Sequence, residues 1–142
     1  KLAGSFGATH LINSRTDDFI SKIKEITPQL DVFVDNTGIN KIIEKGYELI
    51  HQKGRLVLVG VPKVGENINI FSLPLHFGKT ITGSHGGEID PENDIPRFIK
   101  LLLNDKISLK GLVTERYSLK DINVAISRIR QGSTVGRVLI DL

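Results

Sequence analysis

Short runs of Val, Ile and Leu alternate along this chain with stretches whose apolar residues recur every three or four positions. No other feature restricts the fold as much. Leu2, Ala3 and Phe6 fit the last turn of an amphipathic helix, and Gly7 suits its left-handed cap. THLIN (Thr9 to Asn13) reads as a short strand. In TDDFISKIKEIT, Thr16 can cap a helix and Asp17 and Asp18 favour its positive end. Phe19, Ile20, Ile23 and Ile26 share one face, and Pro28 stops it. LDVFVD (Leu30 to Asp35) is the next strand. A helix from Ile39 to about Gln52 follows, burying Ile42, Ile43, Leu49 and Ile50, with Gly54 as its cap. Gly46 inside it costs about 1 kcal/mol relative to alanine, which points to close packing at that position. RLVLVGVP (Arg55 to Pro62) then supplies a buried strand. Helix, strand, helix, strand, helix, strand argues for a parallel sheet with helices covering both faces. The lack of clean alternation within the strands agrees.

After Pro62 the rhythm changes. INIFSLPLHF (Ile68 to Phe77) is apolar and extended, and Pro74 demotes it to an edge strand or an interface segment. KTITGSHGG (Lys79 to Gly87) is a short strand running into glycine. PENDIPRFIKLLLNDKI places Ile95, Phe98, Ile99, Leu102 and Leu103 on one side of a helix, with Pro91 or Pro96 in its first turn. LVTERYSL is a strand. In SLKDINVAISRIRQG, Ser118 and Asp121 resemble a capping box. Ile122, Ala125, Ile126 and Ile129 then face one way, and Gly132 ends the helix. GRVLIDL is a terminal strand, so the C-terminal part reads as an αβαβ segment.

Composition excludes several classes. A net charge of +3, from scattered basic residues, gives no footprint for nucleic acid. No apolar run reaches membrane length and nothing resembles a signal peptide. With no cysteine, this chain can hold no disulfide, cysteine zinc site or cysteine nucleophile, and cytoplasm is the default location. His10, His51 and His76 fall away from the strand ends and read as structural or surface groups. The chain starts at Lys1, without methionine, on what reads as the tail of a helix; the expectation is a piece of a longer protein.

Three strands share a feature at their carboxyl ends. They run into Asp35-Asn36-Thr37-Gly38, into Gly60-Val61-Pro62 and into Gly83-Ser84-His85-Gly86-Gly87. Ligands of open α/β sheets bind in the crevice outside such ends. Small residues there let a flat ligand lie against bare backbone. Each site alone reads first as a plain glycine or proline turn; three on successive strands favour a wall for something planar.

DNTG, GRLVLVGVP, GKTITGSHGGE, DIPRFIKLLLNDKISLKGLVTERYSLKDINVAISRIRQG and GRVLIDL occur in that order. Together they resemble the C-terminal part of zinc-dependent medium-chain alcohol dehydrogenases, over nearly the whole chain. The fold so implied is α/β: a partial Rossmann domain, doubly wound and mainly parallel, lacking its first two strands. Residues 1–88 would be its C-terminal part, and 89–142 the segment returning toward the catalytic domain. The intact parent would use NAD(P) and a catalytic zinc to move hydride between a small alcohol and its aldehyde or ketone. This chain alone would be inactive, since it carries neither the zinc ligands, nor the proton-relay residues, nor the glycine-rich phosphate turn, nor the residue that reads the adenosine ribose. No catalytic residue is therefore expected here.

Contacts to the cofactor are what the resemblance carries over. Thr37 and Gly38 match the loop on the adenosine side, Val59, Gly60 and Val61 the strand end against the nicotinamide. Ser84 matches a carboxamide partner through its backbone C=O, Gly86 a possible N–H donor, and Arg137 an arginine near the pyrophosphate; His85 and Arg137 carry a one-residue doubt in register. Thr37 equally suits capping the helix at Ile39, Asp35 accepting backbone N–H bonds, and Arg137 a surface ion pair; His85 fits an exposed loop better than a catalytic role. Ile68–Phe77 resembles the segment that pairs across the subunit interface, so a homo-oligomer is expected through it or through an exposed sheet edge.

By resemblance two strands are missing between THLIN and LDVFVD. Another chain fills that gap, or THLIN moves beside LDVFVD, or THLIN hangs loosely. A bare Leu30–Asp35 edge with no substitute partner counts against this account. Two other functions stay open: the zinc-free quinone or enoyl reductase branch, and a non-catalytic α/β binding module.

Overall fold

The strands of the described residues pair in parallel, in two separate sheets. The computed structural model describes residues 2–142. They form two compact units, Ile12–Ile89 on the one hand and residues 2–11 with Asp90–Leu142 on the other. Helix α1 (Leu2–Ser5) is a single turn belonging to the second unit.

In the first unit, α2 (Phe19–Ile26) is capped by Asp18 rather than Thr16: the Asp18 carboxylate accepts the Ile20 N–H at 3.1 Å. β1 (Leu30–Asp35), β2 (Ile50–Leu58) and β3 (Thr80–Gly83) form a parallel sheet in that order, with α3 (Asn40–Leu49) between the first two. Ile43, Tyr47, Ile50 and Leu56 make the buried core, and Leu30, Phe33, Leu58, Ile68, Ile70 and Ile81 pack around it. Helix α3 thus covers one face of the sheet. On β1, Val32 and Val34 point the other way and stay 44% and 57% exposed.

Three local expectations need correction. THLIN forms no strand, and among the described residues no strand pairs with the outer edge of β1. Of the three arrangements, the described residues show the one in which THLIN stays unpaired. Gly54 does not cap α3. The helix ends at Leu49 and β2 begins at once, bulging so that Leu30 faces Ile50 while Val32 faces Arg55. Gly54 sits buried in that bulge, where a Cβ would lie 2.8 Å from the Ile50 Cβ. Thirdly, INIFSLPLHF forms no edge strand, the first of the two readings open for it. Asn40 and Tyr47 donate to the Asn67 and Phe71 carbonyls, both at 2.9 Å, and Glu44 accepts the Asn69 N–H at 2.7 Å. One face of α3 therefore satisfies every second residue of an extended segment, in place of a ladder. Leu73–Phe77 then winds into a 3₁₀ turn around Pro74, closed by left-handed Gly78. Of the two prolines weighed for the start of the helix Pro91–Leu103, Pro91 takes it, and Pro96 lies in the interior.

Lys79 is the other buried polar anchor of this unit. Its Nζ donates to the Tyr47 carbonyl at 2.8 Å and lies 4.4 Å from the centroid of the same ring. Burial pulls its pKa below 10.5. The cation meets an unpaired carbonyl at the C-terminus of α3, where positive charge is favoured.

The close packing expected at Gly46 is present. A Cβ there would fall 2.5 Å from Phe33 Cδ1 and 2.8 Å from Cγ. Gly46→Ala should therefore destabilise the unit by about 1–3 kcal/mol, although helix propensity alone favours alanine by about 1 kcal/mol. Urea unfolding measures the sign, and a stabilised variant would refute the contact.

The second unit holds α4 (Pro91–Leu103), β4 (Val113–Ser118), α5 (Ile122–Arg130) and β5 (Arg137–Asp141), the expected αβαβ order. β4 and β5 pair in parallel, Tyr117 opposite Ile140. Asp90 caps α4 through its carboxylate, which accepts the Glu92 N–H at 3.2 Å. Ser118 and Asp121 bond to each other at 2.8 Å through their side chains instead of capping backbone. Among the described residues no helix is long and apolar enough to cross a membrane.

Candidate functional site

Because β1, β2 and β3 are parallel, their carboxyl ends lie at one end of the sheet. There Asp35, 1% exposed, ties two of them together. Its carboxylate accepts the Thr37 hydroxyl at 2.6 Å and the N–H groups of Thr37 and Gly38 at 3.1 and 2.9 Å. Its own carbonyl accepts the N–H groups of Val59 and Gly60 at 2.8 and 2.9 Å. The backbones of the two strand ends then touch. A Cβ on Gly60 would lie 2.2 Å from the Gly38 nitrogen, and one on Gly38 would lie 2.4 Å from the Val61 oxygen. Gly38 also has a φ of 66°, which an L side chain rarely adopts. This contact is why the core strand ends in a glycine rather than at an ordinary turn.

The third strand joins through register. Leu58 faces Gly83, and the Ser84 N–H donates to the Leu58 carbonyl at 2.9 Å. Gly86, Gly87 and Glu88 then follow with φ of 64°, 74° and 53°, a left-handed turn in which the Ser84 hydroxyl accepts the Gly87 N–H at 3.0 Å. Between the ends of β2 and β3 lies a cavity of about 450 Å³, lined by Leu58, Val59, Gly60, Val61, Pro62, Gly83, Ser84, His85 and Glu88. Backbone groups on its lining without a hydrogen bond among the described residues include the carbonyls of Val59, Gly60 and Ser84 and the N–H of Val61. Groups of both kinds on the wall of an open crevice can pair with a planar amide.

Of the eight residues singled out in the sequence, Val59, Gly60, Val61 and Ser84 line this cavity. Thr37 and Gly38 back it through the Asp35 bonds and the glycine contact. The Thr37 hydroxyl also accepts the Ile39 N–H at 3.1 Å, the capping role weighed for it. Gly86 lies in the left-handed turn beyond Ser84, its N–H without a hydrogen bond among the described residues. Arg137 belongs to the other unit; it opens β5 with its N–H on the Leu112 carbonyl at 2.8 Å and forms no ion pair among the described residues. His85 lines the cavity from an exposed loop. Glu88 and Leu58 were missed, yet each lies beside a glycine-containing strand end, which was the available signal.

Among the described residues no three His, Cys, Asp or Glu side chains come together to hold a metal ion, so this chain's donor set does not fit a zinc site. The crevice does fit a nicotinamide carboxamide, on the strength of its unpaired backbone groups.

Comparison with known proteins converges on one family. Residues 1–104 match the family described as "Zinc-binding dehydrogenase". The crystal structure of benzyl alcohol dehydrogenase from Acinetobacter calcoaceticus superposes with a TM-score of 0.87 at 33% identity, covering 99% of this chain and 39% of that one. An NDMA-dependent alcohol dehydrogenase of Amycolatopsis methanolica is 27% identical over 94% of this chain and 38% of its own length. Sorbitol dehydrogenase of Bacillus subtilis is 30% identical, over 91% and 36%. The chain thus spans well under half the length of the relatives it matches. On the family match, the shared parallel sheet and the shared strand ends, this chain belongs to the zinc-binding dehydrogenases and corresponds to the C-terminal part of a medium-chain alcohol dehydrogenase.

Proposed function

We propose that this chain forms the nicotinamide-side wall of the NAD(P) site in an alcohol dehydrogenase. The intact protein then moves hydride between a small primary or secondary alcohol and the cofactor ring. The observation that carries the reading is the set of unpaired carbonyls of Val59, Gly60 and Ser84 and the unpaired Val61 N–H at one cavity. A carboxamide offers two N–H donors and one acceptor, and it would be held edge-on by these groups. Such a hold fixes which face of the ring meets the substrate, and orientation is the part of catalysis that backbone can supply. Thr37 and Gly38 would border the adenosine side, and Gly86 would add a donor. A catalytic zinc, bound outside these residues, would polarise the alcohol oxygen as a Lewis acid. The chain alone binds the ring without turning over alcohol. The names of the relatives favour alcohol oxidation over the zinc-free reductase branch or a non-catalytic module.

Nicotinamide mononucleotide added at millimolar concentration to the ¹⁵N-labelled chain tests the wall. The amides of Val59, Gly60, Val61 and Ser84 should shift together. Shifts scattered elsewhere, or none, would end this reading.

The oligomer expected through Ile68–Phe77 is part of the same proposal. Asn67, Asn69 and Phe71 spend backbone groups on α3, while the N–H and C=O of Ile68 and Ile70 carry no hydrogen bond among the described residues. The segment therefore offers one free edge to a second copy. Sedimentation velocity should find a dimer that Ile70→Pro reduces to monomer; a wild-type monomer at every concentration would exclude it.

A further inference from the structure

The two glycines do not hold themselves in contact. Each is attached to Asp35, Gly38 through the carboxylate at 2.9 Å and Gly60 through the main-chain carbonyl at 2.9 Å. We propose that Asp35 is the positioning residue of the nicotinamide wall: its buried carboxylate sets the distance between the Thr37–Gly38 turn and the Val59–Val61 backbone without touching a ligand. This rests on the function proposed above.

The carboxylate is suited to this as a neutral amide is not. It lies 1% exposed, forms no ion pair among the described residues, and accepts from three donors of one turn. An acceptor-only group can take all three, whereas an amide must present N–H to one of them. Donors facing an ionised carboxylate are held more firmly than donors facing a neutral oxygen. The same residue's carbonyl is where the Val59 and Gly60 N–H groups end. A turn displaced at Gly38 is therefore felt at the strand end of β2, across a contact with no slack.

Asp35→Asn separates this role from general stabilisation. Hydrogen exchange in the labelled chain should speed about tenfold or more at Thr37 and Gly38, and also at Val59 and Gly60, whose N–H groups meet only the unchanged main chain. Leu56 and Val57, deeper in β2, should keep their protection. The dissociation constant for nicotinamide mononucleotide should rise about tenfold. Unchanged exchange at Val59 and Gly60, or loss spread equally over Leu56 and Val57, would overturn the positioning role. Should Asp35→Asn not fold, Thr37→Val removes only the hydroxyl bonds and should still quicken exchange at Gly38 and Gly60; no change there would be equally fatal. If the expected exchange pattern appears while the mononucleotide leaves the wild-type wall unshifted, the cofactor reading fails and the mechanical link from Asp35 stands.

Discussion

Replacing Gly60 by alanine is expected to lower the unfolding free energy of the Ile12–Ile89 unit by about 3 kcal/mol and to abolish binding of nicotinamide mononucleotide. The added Cβ would sit 2.2 Å from the Gly38 nitrogen, 2.6 Å from the Thr37 nitrogen and 2.7 Å from the Asn36 carbonyl carbon. All three atoms are backbone, so no side chain can swing aside. Nor can the strand end retreat freely, because the Val59 and Gly60 N–H groups are both spent on Asp35. Overpacking of a rigid site costs about 1–3 kcal/mol, and each hydrogen bond lost in relieving it costs about 1 kcal/mol more. With a urea slope of about 1–3 kcal/mol/M, the midpoint should fall by about 1–3 M. Gly83→Ala is the matched control. It stands at the neighbouring strand end, outside the left-handed φ region, and its Cβ would meet nothing within 4 Å. Its stability should change by less than about 0.5 kcal/mol. Equal effects from the two substitutions would mean that Gly60 is an ordinary turn glycine.

That contrast shows what could be read from the chain before its structure. Glycine at a strand end, repeated on three strands, is visible in sequence, and it located the crevice. The parallel order was visible too, because alternating helical and strand-like periods leave few topologies open. Whether a short apolar run becomes a strand was not visible, because a strand needs a neighbour. THLIN has the composition, but it pairs with no strand among the described residues and stays irregular. The segment from Asn67 to Phe71 is the converse. It is extended as expected, yet side chains at positions 40, 44 and 47 replace the ladder, a long-range match between helical and extended spacing. Gly54 was misplaced for a similar reason. Glycine after a helical stretch commonly caps it, and only the register of β1 against β2 reveals the bulge that requires it. At the site, Asp35 had been weighed as an acceptor of backbone N–H groups, but its grip on two strands at once depends on the fold.

Leu56→Ala should cost the same unit about 4 kcal/mol, whereas Val34→Ala, one strand away, should cost less than about 1 kcal/mol. Leu56 is 0% exposed at the centre of the sheet, opposite Phe33 on β1 and Ile81 on β3, and it joins Ile43, Tyr47 and Ile50 in the core. Truncating such a side chain removes its transfer free energy and leaves a cavity that a three-stranded sheet pinned by α3 can only partly close. Val34 occupies the opposite face and is 57% exposed, so truncation there forfeits little burial and some strand propensity. Urea unfolding followed by tyrosine fluorescence reports the difference, since Tyr47 lies in this unit's core. The ratio of the two costs also tests whether the sheet is one-sided in solution. If Val34→Ala were as damaging as Leu56→Ala, the uncovered face would have to be packed against something, and the penalty would then fade as the protein is diluted if that something is a second copy.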